Sequence, residues 1–594
     1  MIYFVYFIFL IQFVYANYAP FEVSCPSGNL TRPADLGLNL QEIEYIQSRR
    51  PIVNESLSNY LKSANMSDFD VDWFLSNTNP TIGLAYSGGG FRSMLVSSGQ
   101  FAALDIRTET ENPVLSGILQ SSDYIAGLSG GSWMVGSISS NDFISVDEII
   151  AQNTLWVINS ILDYYDNIIK TIEMWFDIGE QVESKQNAGF EISITDIWGR
   201  ALSYTLLADF YQMGVNYTFS DIRNNSNFQN YSMPFPILVA NGQKPNTTIV
   251  NVNSTVFEIT PFEIGSFDPT LENFVDTKFV GTELDNGLPT NDYCINGFDN
   301  AGFFMGTSSS LFNGVILEVE DSKLPTFLKN FINDTFNKPG SLTAKYNPNP
   351  FYKSIDPQNE IEESETLYLV DGGEDGQNVP LIPLLHRNLS VIFAFDNSAD
   401  TQLNWPNGTS LIETYERQFS SQGVPFPYVP DSYTFINLNL TSKPTFFGCD
   451  ANNLSSLTND IYDVPLVVYI ANRPFTYWSN TSTFKLEYSN EERNSMIQNG
   501  YNVATRLNGT LDDEFQACIG CAIIRREQEK MGLPQSKQCR ECFETYCWNG
   551  EIYIGESLGG NFSDDGITED ASDYNSENVK GINDGESEIF KKTK

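Results

Sequence analysis

The chain has 594 residues, and 75 acidic against 33 basic side chains leave it a net charge of −42. Such a field repels phosphate backbones and so argues against nucleic acid as a partner; it also works against electrostatic recruitment to anionic membrane, leaving apolar insertion open. Hydrophobic residues at 41% and aromatics at 13% can fill a substantial core, so wholesale disorder is excluded, while a single histidine, His386, excludes a zinc hydrolase built on a histidine pair.

In chain order, residues 2–15 are almost wholly apolar, and Val14-Tyr15-Ala16 offers a small residue at a cleavage point. The run lacks an early Lys or Arg, yet it falls short of the ~20 residues needed to span a bilayer, so residues 1–16 read as a secretory signal peptide. Sixteen Asn-x-Ser/Thr sequons follow, from Asn29 to Asn561. Behind a leader they fit a glycosylated secreted protein, extracellular or in a cell wall, carrying N-linked glycans.

Ile82-Gly83-Leu84-Ala85-Tyr86 is a short apolar run that breaks into Ser87-Gly88-Gly89-Gly90, followed by a helix-compatible stretch over 91–104. Tyr124-Ile125-Ala126-Gly127-Leu128 repeats the design ahead of Ser129-Gly130-Gly131, and Leu367-Tyr368-Leu369-Val370 runs into Asp371-Gly372-Gly373. A further buried-looking strand over 389–395 ends at Asp396. Continuous apolar strands separated by helical segments predict an α/β fold with a central, mainly parallel sheet flanked by helices. In such sheets ligands sit beyond the carboxyl ends of the strands, where these turns fall.

Three turns carry chemistry. Gly127-Leu128-Ser129-Gly130-Gly131 is a G-x-S-x-G between strand and helix, the setting that exposes a nucleophilic serine; Ser132 is a competing hydroxyl past the turn. Gly88, Gly89 and Gly90 can aim backbone N–H groups at an oxyanion or phosphate, and Arg92 adds a planar, permanently charged fork. The nucleotide pattern G-x-x-x-x-G-K-S/T is missing at this turn. Asp371, on Asp371-Gly372-Gly373-Glu374-Asp375-Gly376, can serve as general base; an acidic turn or a calcium loop is the alternative reading, although the EF-hand spacing is not met. His386 could join Ser129 and Asp371 or Asp396 in a triad, but its place in Leu385-His386-Arg387 after Pro383 favours an uninvolved residue.

Eight cysteines stand at 25, 294, 449, 518, 521, 539, 542 and 547. The two C-x-x-C pairs match a four-thiolate zinc spacing, but the secretory context favours up to four disulfides, whose pairing spacing leaves open. Residues 557–594 run in Gly, Ser, Asn, Asp and Glu and read as an acidic disordered tail. It ends without the hydrophobic stretch of a GPI signal. The body between, 17–556, reads as one catalytic domain with a Cys-rich C-terminal part.

Ser87-Gly-Gly-Gly-Phe-Arg92, Gly127-Leu-Ser-Gly-Gly-Ser-Trp133 and Asp371-Gly-Gly-Glu-Asp-Gly376 together resemble the fungal lysophospholipase, or phospholipase B, family. Asn397-Ser-Ala-Asp400, Tyr415-Glu-Arg-Gln-Phe419 and the clustered C-terminal cysteines extend the resemblance over roughly residues 23–548. That family is similar to the catalytic domain of cytosolic phospholipase A2 and, more distantly, to patatin. The resemblance implies a Ser-Asp dyad of Ser129 and Asp371 working without histidine. It also implies an oxyanion hole at Gly88, Gly89 and Gly90, and Arg92 on the substrate phosphate. The implied substrates are lysophospholipids and phospholipids at a membrane or micelle interface, with neither metal nor cofactor called for. Two rivals remain: an esterase with a Ser129-Asp371-His386 triad, and a non-catalytic acidic wall glycoprotein.

Overall fold

The computed structural model describes residues 17–244, 247, 250–336, 342–354 and 360–555. The expected leader and acidic tail lie outside the described residues. A twelve-stranded sheet organises the chain. Its strands are β1 (Thr31–Pro33), β2 (Ile82–Tyr86), β3 (Tyr124–Leu128), β4 (Phe235–Gln243), β5 (Val256–Ile259) and β6 (Glu263–Ser266). They continue as β7 (Asn273–Asp276), β8 (Ala344–Tyr346), β9 (Leu367–Asp371), β10 (Val391–Asp396), β11 (Thr445–Phe447) and β12 (Leu466–Ala471). The order is β11-β12-β10-β2-β3-β4-β5-β6-β7-β1, with β9 paired to β4 and β8 to β9.

Strands β12-β10-β2-β3-β4 are parallel neighbours, and every residue in them is buried. Continuous apolar runs form strands of this kind because helices cover both faces. The helix Gly90–Leu104 carries the chain from β2 to β3, and Gly130–Ser140 leaves β3 toward β4; both are buried along their whole length. From β2 the chain winds one way to β3 and β4, while β10 and β12 lie on its other side. The turns after β2 and β10 therefore flank a topological switch point, where open α/β sheets hold their ligands.

The fold is the expected α/β one, a central sheet flanked by helices, although the sheet is not parallel throughout. It is mixed, with four parallel and seven antiparallel pairings. The antiparallel part positions the site. One edge of β4 is covered throughout Leu238–Asn241 by β5. Its other edge pairs in parallel with β3 up to Val239, opposite Leu128, and from Ala240 onward with β9 running the opposite way. Two strands thus run toward each other along one edge and meet between Val239 and Ala240. Leu128 ends one and Asp371 ends the other, so Ser129 and Asp371 are brought face to face.

All eight cysteines are paired: Cys25–Cys294, Cys449–Cys547, Cys518–Cys542 and Cys521–Cys539. The two C-x-x-C pairs lie on antiparallel helices, Phe515–Lys530 and Lys537–Tyr546, and close as nested bridges, not as zinc ligands. Among the described residues no helix is long and apolar enough to cross a membrane.

Candidate active site

Ser129 sits between β3 and the helix Gly130–Ser140 with φ 49° and ψ −117°. A non-glycine residue at positive φ stores strain, and a sharp strand-to-helix turn uses it to push the side chain out of the sheet. The Ser129 hydroxyl donates to Asp371 Oδ2 at 2.9 Å, and the Gly373 N–H donates to Asp371 Oδ1 at 2.9 Å. Ser129 and Asp371 are each only 3% exposed. Burial pushes the Asp371 carboxyl up to about 6, with Asp375 adding to the rise, against the pull of the hydrogen bonds from Gly373 and Ser129. Near neutral pH it is a carboxylate in a dry site, held close to the proton it would take. Ser132 faces elsewhere: its hydroxyl donates to the Ser129 carbonyl at 2.6 Å.

The turn after β2 lies directly against this pair. A Cβ at Gly130 would stand 2.1 Å from the Gly90 carbonyl oxygen, so the two turns touch through bare backbone. Gly130→Ala is accordingly expected to displace the elbow and lower kcat by about 100-fold or more, measured beside the wild type with the melting temperature as control. Gly89, at φ 134°, takes a conformation reserved for glycine, with Arg92 Nη2 only 2.4 Å from where a Cβ would stand. The three glycines are not equivalent. Asn378 clamps Gly88, accepting its N–H at 3.1 Å and donating Nδ2 to its carbonyl at 3.2 Å. The Gly89 and Gly90 N–H groups, at the start of the helix Gly90–Leu104, donate to nothing among the described residues.

Arg92 is buried under this turn. It donates Nε to the Asn397 carbonyl at 3.1 Å and Nη1 to the Thr481 carbonyl at 2.8 Å and Thr483 Oγ1 at 3.0 Å. Its Nη2 has no partner among the described residues and lies beside Gly89. Burial lowers its pKa only to about 10, so it remains a cation.

The other candidates are placed apart. His386 follows the short helix Ile382–Leu385 and stacks on Phe267, ring centroids 4.6 Å apart. Burial lowers its pKa to about 4. The neighbouring Arg387 lies over the ring of Tyr124, the first residue of β3, whereas Ser129 follows the last. His386 therefore belongs to the far end of the strand and bonds neither Ser129 nor Asp371. Asp396 accepts from Ser398 N–H at 3.0 Å and from the Tyr469 hydroxyl at 2.9 Å, beside β12. A calcium loop at 371–376 fits poorly, because Asp375 is spent on Gln377 and Asp371 on Ser129 and Gly373. Among the described residues the acidic group close enough to share an ion is Glu42, Glu258 and Glu263, and arginines pair with all three. Sequence reasoning did not single out Asn378, or Ser308 and Ser310, which reach the backbone of the pair.

Residues 82–553 match the family described as lysophospholipase catalytic domain. The chain belongs to the lysophospholipase family. Lysophospholipase 1 of Candida albicans is 60% identical over 584 residues, covering 97% of this chain and 96% of the relative. Lysophospholipase 3 of Saccharomyces cerevisiae is 45% identical over 567 residues, covering 90% and 82%. In fold the chain is similar to human GIVD cytosolic phospholipase A2, with a TM-score of 0.63 at 16% identity over 84% of this chain and 69% of that one. The expected family and enzyme class are the ones found. The matched lysophospholipase domain opens at Ile82, the first residue of β2, and so takes in both turns and Asp371.

Proposed function

We propose that this lysophospholipase releases fatty acid from lysophospholipids, and from phospholipids at a membrane or micelle interface, through a Ser129–Asp371 dyad and an acyl-enzyme. The observation that carries the reading is the 2.9 Å hydrogen bond from the Ser129 hydroxyl to Asp371 inside a buried site. Ser129 Oγ attacks the ester carbonyl as Asp371 takes its proton, and the carbonyl oxygen becomes an oxyanion. The free N–H groups of Gly89 and Gly90 receive that charge, helped by the N-terminal end of the helix Gly130–Ser140, while Gly88 braces the turn through Asn378. The C–O bond then breaks, and Asp371 returns the proton to the departing glycerol oxygen. Water attacks the acyl-enzyme with Asp371 again as base, and fatty acid leaves with Ser129 regenerated. Arg92, through Nη2, is the group assigned to the substrate phosphate. No step draws on a cofactor or metal.

Secretion is part of the same proposal. The apolar leader, four disulfides and sequons that sit off the core support it: none of the fourteen sequon asparagines among the described residues is buried. Purified protein is expected to release fatty acid from lysophosphatidylcholine, and Ser129→Ala to release none above background. Equal release by the mutant would remove Ser129 as nucleophile. No release by folded wild type would favour the non-catalytic glycoprotein.

A further inference from the structure

Where the two strands meet end to end the ladder breaks, and Ser308 and Ser310, two of a run of three buried serines, take N–H groups at the break. The helix Ala301–Thr307 ends against β4, and Ser308, Ser309 and Ser310 follow it. Ser308 Oγ accepts the N–H of Ser129 at 3.0 Å and donates to the Val239 carbonyl at 2.6 Å. It therefore ties the strained turn to the β4 residue opposite which β3 ends. Ser310 Oγ accepts the N–H of Asp371 at 2.9 Å. One short segment thus holds the backbone of both members of the pair. A backbone N–H buried without a partner is costly, so each hydroxyl has a local reason to be there. Their placement has a second consequence. The Ser129 hydroxyl and the Asp371 carboxylate meet across a break between two strands that each pair with β4 but not with each other. Ser308 and Ser310 add a direct tie across that break.

We infer that Ser308 and Ser310 are positioning residues for the hydrolytic step, holding nucleophile and base in register; the inference rests on the Ser129–Asp371 reading. Ser309 supplies an internal control. Its hydroxyl accepts from the indole N–H groups of Trp133 at 2.8 Å and Trp198 at 3.2 Å, so it serves packing and touches neither Ser129 nor Asp371.

The test uses the full purified chain with lysophosphatidylcholine as substrate and an alkyl fluorophosphonate as a covalent probe of Ser129. Ser308→Ala and Ser310→Ala are each expected to lower kcat by about 10- to 100-fold, because an error of about 1 Å between reacting groups costs that much. KM is expected to stay within about twofold, since substrate binding is untouched. Fluorophosphonate labelling should slow by the same factor as kcat. Ser309→Ala is expected to lower the melting temperature while leaving kcat within about twofold. Threonine and valine at 308 and 310 match each other in size and differ by a hydroxyl; threonine should outperform valine in kcat, which keeps the test decisive should an alanine variant not fold. Folded alanine and valine variants with unchanged kcat and labelling, beside an inactive Ser129→Ala, would overturn the positioning role and leave the dyad standing. Turnover by Ser129→Ala or Asp371→Asn would instead overturn the dyad reading itself.

Discussion

Asp371→Asn is expected to lower kcat by roughly 10⁴-fold while leaving the fold intact, because the amide keeps the shape of the carboxyl but cannot take the serine proton. The loss should fall on kcat and not on KM, since Asp371 is placed to act on the reacting proton. The same group sets the pH dependence. Burial raises its pKa to about 6, and the base must be ionised to work. Activity should therefore fall as pH drops through about 6 and should hold on the alkaline side of neutrality. His386, lowered to about 4 by burial, is neutral where that fall occurs and adds no inflection near its ordinary value. Steady-state kinetics on lysophosphatidylcholine between pH 4 and 8 reads both effects. Unchanged kcat in Asp371→Asn would remove the dyad.

Arg387→Met is expected to destabilise the protein by about 3–5 kcal/mol, the cost of leaving buried charges without their partner. Arg387 reaches Glu42 at 2.9 Å and Glu258 at 2.7 Å, and all three side chains are almost fully buried. Its guanidinium also donates to the Pro383 carbonyl at 2.6 Å. With the arginine in place, burial already lifts the Glu42 carboxyl to about 6. Removing the cation removes the largest pull in the other direction, so Glu42 rises further. The folded variant then holds a proton that the unfolded chain releases near 4.5. Folded protein binding more protons than unfolded means that the variant loses stability as pH rises above that point and regains it on acidification. Thermal unfolding of wild type and variant at pH 5 and 8 measures this, and an equal deficit at both values would contradict it.

Three strands of the parallel half were legible in the sequence because strands buried on both faces must be apolar throughout. Ile82–Tyr86, Tyr124–Leu128 and Val391–Asp396 show such runs. Most of the antiparallel half was not, the strand Leu367–Asp371 excepted. Strands β5 and β6 and the loop after them carry Glu258, Glu263 and Asp268, buried carboxylates paired with Arg387, Arg32 and Arg417. Those partners come from 129, 231 and 149 residues away in sequence. Charges in core positions break the apolar pattern that reveals a strand, and their compensation shows only in three dimensions. Of the site, Ser129, Asp371 and the glycine turn could be read because tight turns demand glycine and leave a local signature. The direction of the strand that brings Asp371 could not, since a short apolar run is the same whether its neighbour is parallel or antiparallel. Gly88, Gly89 and Gly90 looked equivalent in sequence; Asn378, 290 residues away, separates the first from the others.

The most direct measurement is fatty-acid release from lysophosphatidylcholine by purified Asp371→Asn and His386→Ala, side by side with wild type at pH 7. A dyad of Ser129 and Asp371 predicts an Asp371→Asn rate near background and a His386→Ala rate within about twofold of wild type, because the imidazole packs on Phe267 at the other end of the strand. An inactive but folded His386→Ala, or an Asp371→Asn that turns over like wild type, would contradict it.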